Sequence, residues 1–218
     1  MTPRRGPRRK EAGAGLLSAI LVAAAACAWA PGQGAAGRDT ISPDTSLVPP
    51  GYGTLRQDQV TLSLRRADLL IKVTPMAESV IRLTAPDTYD RLAELKRSHS
   101  DALRRRAPVD DPALLLVSFF SYEPNIPFQP EDVHLLNRGL RFRPLGIDPV
   151  TPGWGIQRLN QEETQMAIYA YDPTLDLSQE IAVEYREARR GGWDQILSIL
   201  EAERARVLAR SRVDAGAR

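Results

Sequence analysis

The chain has 218 residues, enough for one hydrophobic core of ordinary size with additional segments around it. Its formal net charge is +2, but five of its 29 basic residues and one of its 27 acidic residues lie in Met1–Cys27, which leaves 24 basic and 26 acidic residues beyond that segment. A chain so close to neutrality lacks the basic surface of a nucleic-acid-binding protein. Because Cys27 is the only cysteine, an intrachain disulfide is excluded.

Residues 1–30 have the layout of an export signal. The basic segment Arg4–Lys10 comes first, the apolar stretch Leu16–Ala26 follows, and small residues end the segment. The apolar stretch is shorter than the roughly 20 residues of a membrane-spanning helix. We therefore predict that residues 1–30 direct the protein to the cell envelope, as a periplasmic or outer-membrane lipoprotein, or into secretion.

Cys27 lies where a bacterial lipoprotein carries its acylated cysteine. The leucine that usually stands three residues before that cysteine is replaced by Ala24. A rival cleavage position follows Ala28-Trp29-Ala30, but it would leave Pro31 directly after the cut, and a proline there hinders cleavage. Three alternatives therefore stay open: lipid attachment at Cys27, removal of the signal with Cys27 unmodified, and an uncleaved membrane anchor.

The segment Pro31–Arg56 is rich in glycine, proline, serine, threonine and aspartate. A segment of this composition does not bury enough apolar surface to order itself. We predict a flexible tether over residues 31–56. If Cys27 is acylated, the tether holds the folded part of the chain away from the membrane.

Two alternating apolar patterns open the domain, over Gln59–Leu64 and over Leu69–Val73. An apolar residue at every second position is typical of a half-buried strand. The two patterns are in opposite phase, and a slip of one residue turns every side chain to the other face of a sheet. We therefore predict a break near Arg65-Arg66-Ala67, with one bent strand or two short strands around it.

A helix is predicted over residues 84–107, inserted between the opening strands and the rest of the domain. Thr84-Ala85-Pro86-Asp87 offers a capping hydroxyl, an early proline and an acidic residue near the positive end of the helix dipole. The segment Ala107–Pro112 ends the helix. The apolar face of the helix contains Tyr89, Leu92, Leu95 or Lys96, His99 and Leu103, and its exposed face contains Arg91, Glu94, Arg97, Asp101 and Arg105.

Strands are predicted over Ala113–Tyr122, Thr164–Tyr171 and Ile181–Tyr185, where branched and aromatic residues are bounded by turn residues. Asp132–Phe142 is predicted as two short apolar runs around a tight hairpin turn or a bulge at Asn137-Arg138-Gly139, because glycine tolerates a positive φ. Short strands separated by turn signals are typical of a sandwich or barrel. We therefore predict a mainly β fold with flanking helices, an immunoglobulin-like antiparallel β-sandwich over residues 57–188.

The same region resembles the immunoglobulin-like domain of the telokin-like type that many bacterial exported proteins carry. Phe128–Leu135 fits the F-x-P-x-D-x-x-L segment of that family, Gly139–Pro144 fits its G-x-x-x-x-P hairpin, and Ile168–Pro173 fits its fifth segment loosely. Glu123–Pro127 departs from the family, because it replaces the Asn-rich turn that usually follows the first long strand. The resemblance implies a binding or structural module rather than an enzyme.

Gly146–Glu163 has few strand signals and is predicted as an irregular link. Trp154 stands in this link between two glycines. It either stacks on a ligand or covers an edge of the core, and we favour the second interpretation because a tryptophan in such a position more often covers a core edge.

A C-terminal helix is predicted over Trp193–Leu208, after the helix-breaking Gly191-Gly192, within the terminal segment 189–218. We expect a frayed end over Ser211–Arg218. The apolar stripe of the helix contains Trp193, Ile196, Leu197, Leu200, Arg204, Val207 and Leu208, and we expect Glu201, Glu203, Arg206 and Arg210 on the other side.

Ala113–Tyr122 and Met166–Tyr171 are apolar on both faces, whereas a strand with one wet face alternates with polar residues. The outer face of their sheet must therefore be covered. We predict that at least one of the two helices packs across it, and we favour the C-terminal helix. The alternative is that the apolar stripe of the C-terminal helix docks a partner or a second copy of the chain.

The sequence predicts no catalytic, cofactor-binding or metal-binding residue. His99 and His134 fall in different elements, and neither has a histidine or cysteine at the spacing of metal ligands. The acidic pairs Asp110-Asp111, Glu131-Asp132 and Glu162-Glu163 lie at turns or strand starts, where solvated carboxylates are ordinary. Neither a glycine-rich phosphate loop nor a G-x-S-x-G nucleophile motif occurs.

Two classes of function remain. The first is a non-catalytic cell-envelope module, tethered to the membrane through Cys27, that binds an envelope protein or a glycan without a cofactor. The alternative is a secreted, hydrolase-like enzyme that uses surface carboxylates. The alternative would make at least one of Glu123, Glu131, Asp132 and His134 essential to a reaction.

Overall fold

The computed structural model describes residues 48–216. The predicted export signal, Cys27 and most of the predicted tether lie outside the described residues. Within these residues the chain forms antiparallel β-sheets and three α-helices. The helices are α1 (Glu78–Ile81), α2 (Pro86–Arg106) and α3 (Trp193–Gly216). The strands are β1 (Leu62–Arg66), β2 (Leu69–Pro75), β3 (Ala113–Ser121), β4 (Ile126–Pro127), β5 (Val133–Asn137), β6 (Leu140–Phe142), β7 (Gly146–Pro149), β8 (Arg158–Leu159), β9 (Thr164–Tyr171), β10 (Ile181–Tyr185) and β11 (Ala188–Arg190).

The strands pair into a five-stranded sheet in the order β1-β2-β3-β9-β7, a four-stranded sheet in the order β11-β10-β5-β6, and the two-stranded sheet β4-β8. The predicted mainly β class with an inserted helix and a C-terminal helix is confirmed. β5 and β6 are joined by the two-residue turn Arg138-Gly139, whose φ angles are 54° and 77°, a conformation that favours glycine. The break predicted near Arg65-Arg66-Ala67 corresponds to the turn between β1 and β2. These two short strands pair as an antiparallel hairpin.

The inner faces of the two larger sheets share one apolar core. Leu115, Val117 and Phe119, which lie on one face of β3, point into this core. Hydrogen bonds also cross from one sheet to the other. The hydroxyl of Tyr169 donates to the carbonyl of Pro130 at 3.0 Å, and the hydroxyl of Tyr171 donates to the carbonyl of Val133 at 3.0 Å. Burial raises the pKa of both tyrosines, so both hydroxyls stay protonated donors.

The outer face of the five-stranded sheet is covered by α2 and not by α3. Leu92 and Leu103 of α2 form a second apolar cluster with Leu116 of β3 and Ile168 of β9. The prediction that a helix covers this face is confirmed, but the preference for the C-terminal helix is wrong. α2 covers the face because it is inserted between two strands of that sheet, β2 and β3, whereas α3 follows β11 of the other sheet.

α3 packs against the 3-10 turn Gln57–Val60 and against β10. Its apolar stripe joins the core between the sheets, and the indole N–H of Trp193 donates to the carbonyl of Leu177 at 2.7 Å. Val48 and Leu55 are also buried in this core, with exposed fractions of 2% and 4%. Residues 48–56 therefore belong to the folded part of the chain, and the predicted end of the tether at residue 56 lies too far along the sequence.

The prediction that Glu203 lies on the solvent side of the C-terminal helix is wrong, because its side chain is fully buried. Glu203 comes three residues after Leu200 and four before Val207, so it shares their face of α3. Its carboxylate accepts hydrogen bonds from the backbone N–H of Thr54 at 3.1 Å, the hydroxyl of Thr54 at 2.9 Å and Nη2 of Arg210 at 2.6 Å. Burial alone would raise the pKa of Glu203, but the hydrogen bonds from Arg210 and Thr54 outweigh burial and lower it. We call Glu203, Thr54 and Arg210 the α3 latch.

Three other local predictions differ from the structure. The hydroxyl of Thr84 does not cap α2, because it donates to the carbonyl of Ile81 at 2.6 Å and Ala85 stands at the N-cap position. α3 continues to Gly216, so the predicted frayed end is wrong for residues 211–216. The predicted irregular link contains the short strands β7 and β8, which pair with β9 and β4.

Trp154 belongs to the core and is 7% exposed. Its ring centroid lies 5.2 Å from that of Phe128 and 5.8 Å from that of Phe119, both in edge-on arrangements that aromatic pairs favour. The interpretation that Trp154 covers an edge of the core is confirmed. Its ring is occupied by aromatic neighbours, so it is not free to stack on a ligand.

Candidate functional site

An open groove of about 730 Å³ lies where the chain passes from the four-stranded sheet to the five-stranded sheet. β6 is an edge strand of the first sheet and β7 is an edge strand of the second, and residues 143–145 connect them. We call this feature the β6–β7 groove. It is lined by Glu131, Asp132, His134, Arg141, Arg143, Pro144, Leu145, Gly146 and Ile147.

The alternation of strand residues decides which side chains reach the groove. On β5 the neighbours of His134 point into the core, so His134 points to the outer face of the four-stranded sheet. On β6 Phe142 points into the core, so Arg141 and Arg143 on either side of it point outward. The 3-10 turn Pro130–Asp132 directly precedes β5 and brings its two acidic residues to the same groove.

His134 is 8% exposed, and its ring is held in place by the contacts of its Nδ1 atom. This atom lies 2.9 Å from the carbonyl oxygen of Asp132 and 3.3 Å from Nη2 of Arg141. An arginine only donates and a carbonyl only accepts, and the shorter contact favours the tautomer in which Nδ1–H donates to Asp132. The carboxylate of Asp132 is itself paired with Nε of Arg186 at 3.3 Å.

The remaining charges of the groove fall into a paired and an unpaired group. Arg141 forms an ion pair with Glu184 of β10, with 2.5 Å between Nη2 and Oε1. Arg143 and Glu131 are exposed, and neither forms an ion pair with another residue of the described chain. The groove therefore presents one cation and one anion that a ligand can engage without first breaking an ion pair within residues 48–216.

Of the four residues named for a hydrolase-like site, Glu131, Asp132 and His134 line one groove, and Glu123 does not. Arg141 and Arg143, which also line it, are not among the four. The signal for them is their spacing: two arginines flank one buried aromatic residue on a strand that begins at a two-residue turn, which places both on one exposed face.

The other histidine lies in a separate cluster between α2 and β7. Nδ1 of His99 lies 2.6 Å from Oδ2 of Asp148, and Nη1 of Arg106 lies 2.5 Å from Oδ1 of the same carboxylate and 2.8 Å from the carbonyl oxygen of Ile147. Within the described residues no hydroxyl or thiol hydrogen-bonds to His99, so the cluster lacks the nucleophile of a catalytic triad. These contacts fasten α2 to the edge of the sheet that it covers.

The remaining acidic pairs do not converge on the groove. Asp110-Asp111 lies in the bends before β3, and Glu162-Glu163 lies in the turn before β9. Among residues 48–216 no group of three or more histidine, cysteine or acidic side chains is arranged to hold a metal ion. In the same residues no helix combines the length and the apolar character needed to cross a bilayer.

The sequence matches no protein-family model, and neither a curated protein nor a solved structure matches the chain. The resemblance to telokin-like immunoglobulin domains therefore stays a prediction, carried by the three segments quoted for it.

Proposed function

We propose that this chain is a non-catalytic binding module of the cell envelope and that the β6–β7 groove is its ligand site. The observation that carries this proposal is the presence of the unpaired charges of Arg143 and Glu131 in an open groove built from strands and a 3-10 turn. Beneath these charges, Phe142 and the β5 neighbours of His134 are anchored in the core. The backbone that carries these charges is therefore fixed before a ligand arrives, so the entropic cost of binding is limited to ordering the two side chains.

The side chains that line the groove favour binding over catalysis. The residues that line the groove, within the described chain, include no serine, threonine or cysteine to act as a nucleophile.

We also propose that the two larger sheets form an immunoglobulin-like β-sandwich of the telokin-like type. Their antiparallel pairing, their shared core and the tight turn Arg138-Gly139 support this architecture. That turn directly precedes β6, so the segment that fits the family pattern also forms one wall of the groove. A fold alone assigns no function, and the proposed ligand site rests on the groove.

The module acts outside the cytoplasm in this proposal, exported by residues 1–30 and held at the membrane by a lipid on Cys27. Residues 28–47 lie between that cysteine and the first described residue, and a segment of this length reaches at most about 70 Å. In a Gram-negative host we expect the Cys27→Ser chain to leave the membrane fraction and to lose the mass of the lipid. Unchanged partition and mass would contradict the lipid anchor, and a full-length chain that stays in the cytoplasm would contradict export.

The ligand site is tested by capture of envelope components on the tagged full-length chain after cross-linking in cells. We expect Arg143→Glu to reduce the captured ligand about fivefold, the size of one lost charge pair. The matched control is Arg189→Glu, since Arg189 is also exposed and pairs across from Glu184, on the same outer face but on β11 at the opposite edge of the sheet. Equal recovery by the two variants would contradict a ligand site in the groove.

One observation favours the hydrolase-like alternative: Glu131, Asp132 and His134 meet in a single groove. A reproducible hydrolysis of cell-wall fragments by the purified chain, lost in Glu131→Gln or His134→Ala and retained in Glu123→Gln, would replace the binding module with an enzyme. We expect no such activity, because the carboxylate of Asp132 and Nδ1 of His134 are already occupied by Arg186 and by a backbone carbonyl.

A further inference from the structure

We infer that the β6–β7 groove binds an extended peptide in which acidic and apolar residues alternate, and that this peptide adds to β6 as an antiparallel strand. The inference rests on the proposed function, because it names the ligand class of the same groove. It is carried by the main-chain groups of β6 that the sheet leaves unpaired and by the side chains on either side of them.

The hydrogen-bond pattern of the four-stranded sheet shows which main-chain groups of β6 are unpaired. β5 and β6 are joined by a two-residue turn, so Asn137 and Leu140, which close it, exchange hydrogen bonds with each other. Hydrogen-bonded pairs alternate along an antiparallel ladder, so the next such pair is Leu135 with Phe142. The N–H and C=O groups of Arg141, which lies between Leu140 and Phe142, therefore point away from β5, toward the free edge.

A second turn in the same sheet confirms this pattern. Tyr185 and Ala188 close a two-residue turn between β10 and β11, so the main-chain groups of Tyr185 form hydrogen bonds with β11. The main-chain groups of its neighbour Glu184 then form hydrogen bonds with β5, where the partner residue is His134. The main-chain N–H and C=O groups of His134 therefore point toward β10, and those of Leu135 point toward β6. This agrees with the pattern derived from the first turn.

The edge of β6 offers a short docking segment. Arg143 directly follows the last residue of β6, so an added strand that runs past Phe142 would reach its main-chain groups. Outside the strand ladders, no backbone hydrogen bond within the described residues uses the N–H of either arginine. Within the ladder, the alternation of hydrogen-bonded pairs leaves the N–H of Arg141 unpaired. Pro144 has no N–H and ends the segment. Leu140 at its start is 61% exposed, so this end of the edge is not covered by another element of the described chain.

The side chains around this edge determine the sequence pattern of the peptide. Residues of an added antiparallel strand that stand opposite Arg141 and Arg143 would place their side chains on the same outer face. Acidic side chains at those positions would meet Arg143, which has no ion pair within the described residues, and would compete for Arg141. The intervening side chains would point the other way, toward the groove wall, where Leu145 and Ile147 are half-buried. The pattern is therefore acidic, apolar, acidic, apolar.

Charged residues on an edge strand also protect proteins against unwanted strand pairing. That role predicts that no peptide adds to β6, so the two interpretations are separable by experiment. A docked strand gains affinity from its main chain and specificity from alternate side chains, and each contribution can be removed separately.

The experiment measures fluorescence anisotropy of labelled peptides with the full-length chain, carrying Cys27→Ser to keep it free of lipid. The first probe alternates glutamate and valine, and a second probe has the same composition with the glutamates in one block. Two further probes carry backbone N-methyl groups, on all glutamates in one and on all valines in the other. In an antiparallel strand the glutamates opposite the arginines direct their N–H groups at β6, whereas the valine N–H groups point away.

We expect the alternating probe to bind and the block probe to bind at least about fivefold more weakly. Methylation of the glutamates should weaken binding about tenfold or more, because each methyl group removes a hydrogen bond and obstructs the edge. Methylation of the valines should leave binding nearly unchanged. Arg143→Glu should weaken binding of the alternating probe, and Arg189→Glu should not.

Failure of the inference and failure of the proposed function give different results. If Arg143→Glu loses the envelope ligand in cells but the alternating probe does not bind, or binds with equal sensitivity to both methylation patterns, the strand-addition inference is overturned and the groove stands as the ligand site. If cell-wall oligosaccharides bind in place of the peptide, the inference is overturned in the same way. If Arg143→Glu and Arg189→Glu behave alike in both assays, both proposals fall.

Discussion

Two glutamate–arginine pairs in this molecule have the same chemistry and different surroundings. In the α3 latch the side chain of Glu203 is fully buried and its Oε1 atom lies 2.6 Å from Nη2 of Arg210. Beside the β6–β7 groove the side chain of Glu184 is 21% exposed and its Oε1 atom lies 2.5 Å from Nη2 of Arg141, whose side chain is 45% exposed. The side chain of Arg210 is 41% exposed, so the two arginines have similar access to water, and the pairs differ in the burial of the carboxylate. The difference indicates that the latch supports the fold, whereas the pair at the groove can exchange partners with a ligand.

The latch also fixes where the chain enters the folded part. Besides pairing with Glu203, Arg210 donates to the carbonyl of Tyr52 at 2.7 Å, and Thr54 donates twice to Glu203. A Cβ atom on Gly53 would lie 2.2 Å from the backbone of Leu83, so only glycine fits between these contacts. Residues 52–54, the last part of the predicted tether, are therefore fixed to the folded part of the chain, while the groove lies on elements that leave one edge open.

The largest effect that separates the two pairs is expected from Arg210→Ala. This substitution leaves the buried carboxylate of Glu203 without its closest partner, and we expect the free energy of unfolding to fall by about 3 kcal/mol. The control is Arg206→Ala: Arg206 lies 3.4 Å from the other oxygen of Glu203 and its side chain is 66% exposed. Its loss should cost less than about 1 kcal/mol. Urea unfolding of the two variants checks the difference, and equal losses would contradict the role given to burial.

The second effect is a dependence of stability on pH. The pKa of Glu203 is lowered in the folded chain relative to its ordinary value of 4.5, so its ionised form stabilises the fold above that pH. The stabilisation should be lost as the pH falls below about 4.5 and through the lower pKa of the folded state. Urea midpoints measured between pH 7 and pH 3 should fall more steeply for the natural chain than for Glu203→Gln. Parallel curves would show that Glu203 does not contribute.

The latch also shows what the sequence did and did not predict. Strands such as Thr164–Tyr171 were recognised with their observed bounds because branched and aromatic residues end at turn residues, a local signal. β7 was missed because it is a short strand with a glycine and a proline, and it exists through its pairing with the distant β9. Glu203 was assigned to solvent because it is charged, although its spacing from Leu200 and Val207 already placed it on their face.

The groove was predictable in its parts and not in its assembly. The alternation around Phe142 gives the side of β6 on which Arg141 and Arg143 lie, and the early acidic residues of the turn at Pro130–Asp132 were identified from the sequence alone. That β6 and β7 are edge strands of different sheets depends on which strands pair, and pairing between distant segments leaves no local pattern. The sequence also predicts that a helix covers the outer face of the five-stranded sheet. It indicates the wrong helix, because the position of α2 and α3 depends on the same pairing of distant strands.

A smaller effect is expected from Glu184→Ala on β10. The ion pair with Arg141 is partly exposed, and pairs of this kind contribute at most about 1 kcal/mol, so we expect only that change in the free energy of unfolding. The freed guanidinium should in turn become available to an acidic ligand, and binding of the alternating glutamate–valine peptide should strengthen about threefold. A loss of binding together with stability would show that the pair is structural, as in the latch.

The smallest effect on stability, and the sharpest contrast with the latch, is expected from Arg143→Glu. Arg143 is exposed and forms no ion pair within residues 48–216, so reversing its charge should change the free energy of unfolding by less than about 0.5 kcal/mol. Arg189→Glu should cost somewhat more, up to about 1 kcal/mol, because it places a glutamate directly opposite Glu184. Only Arg143→Glu should weaken ligand capture, since only Arg143 lines the groove.

A variant that keeps its unfolding midpoint and loses its ligand separates binding from folding at one residue, which the buried pair at Glu203 does not allow. A fall in the unfolding midpoint of Arg143→Glu beyond that of Arg189→Glu would instead assign Arg143 to the support of β6 and remove it from the ligand site.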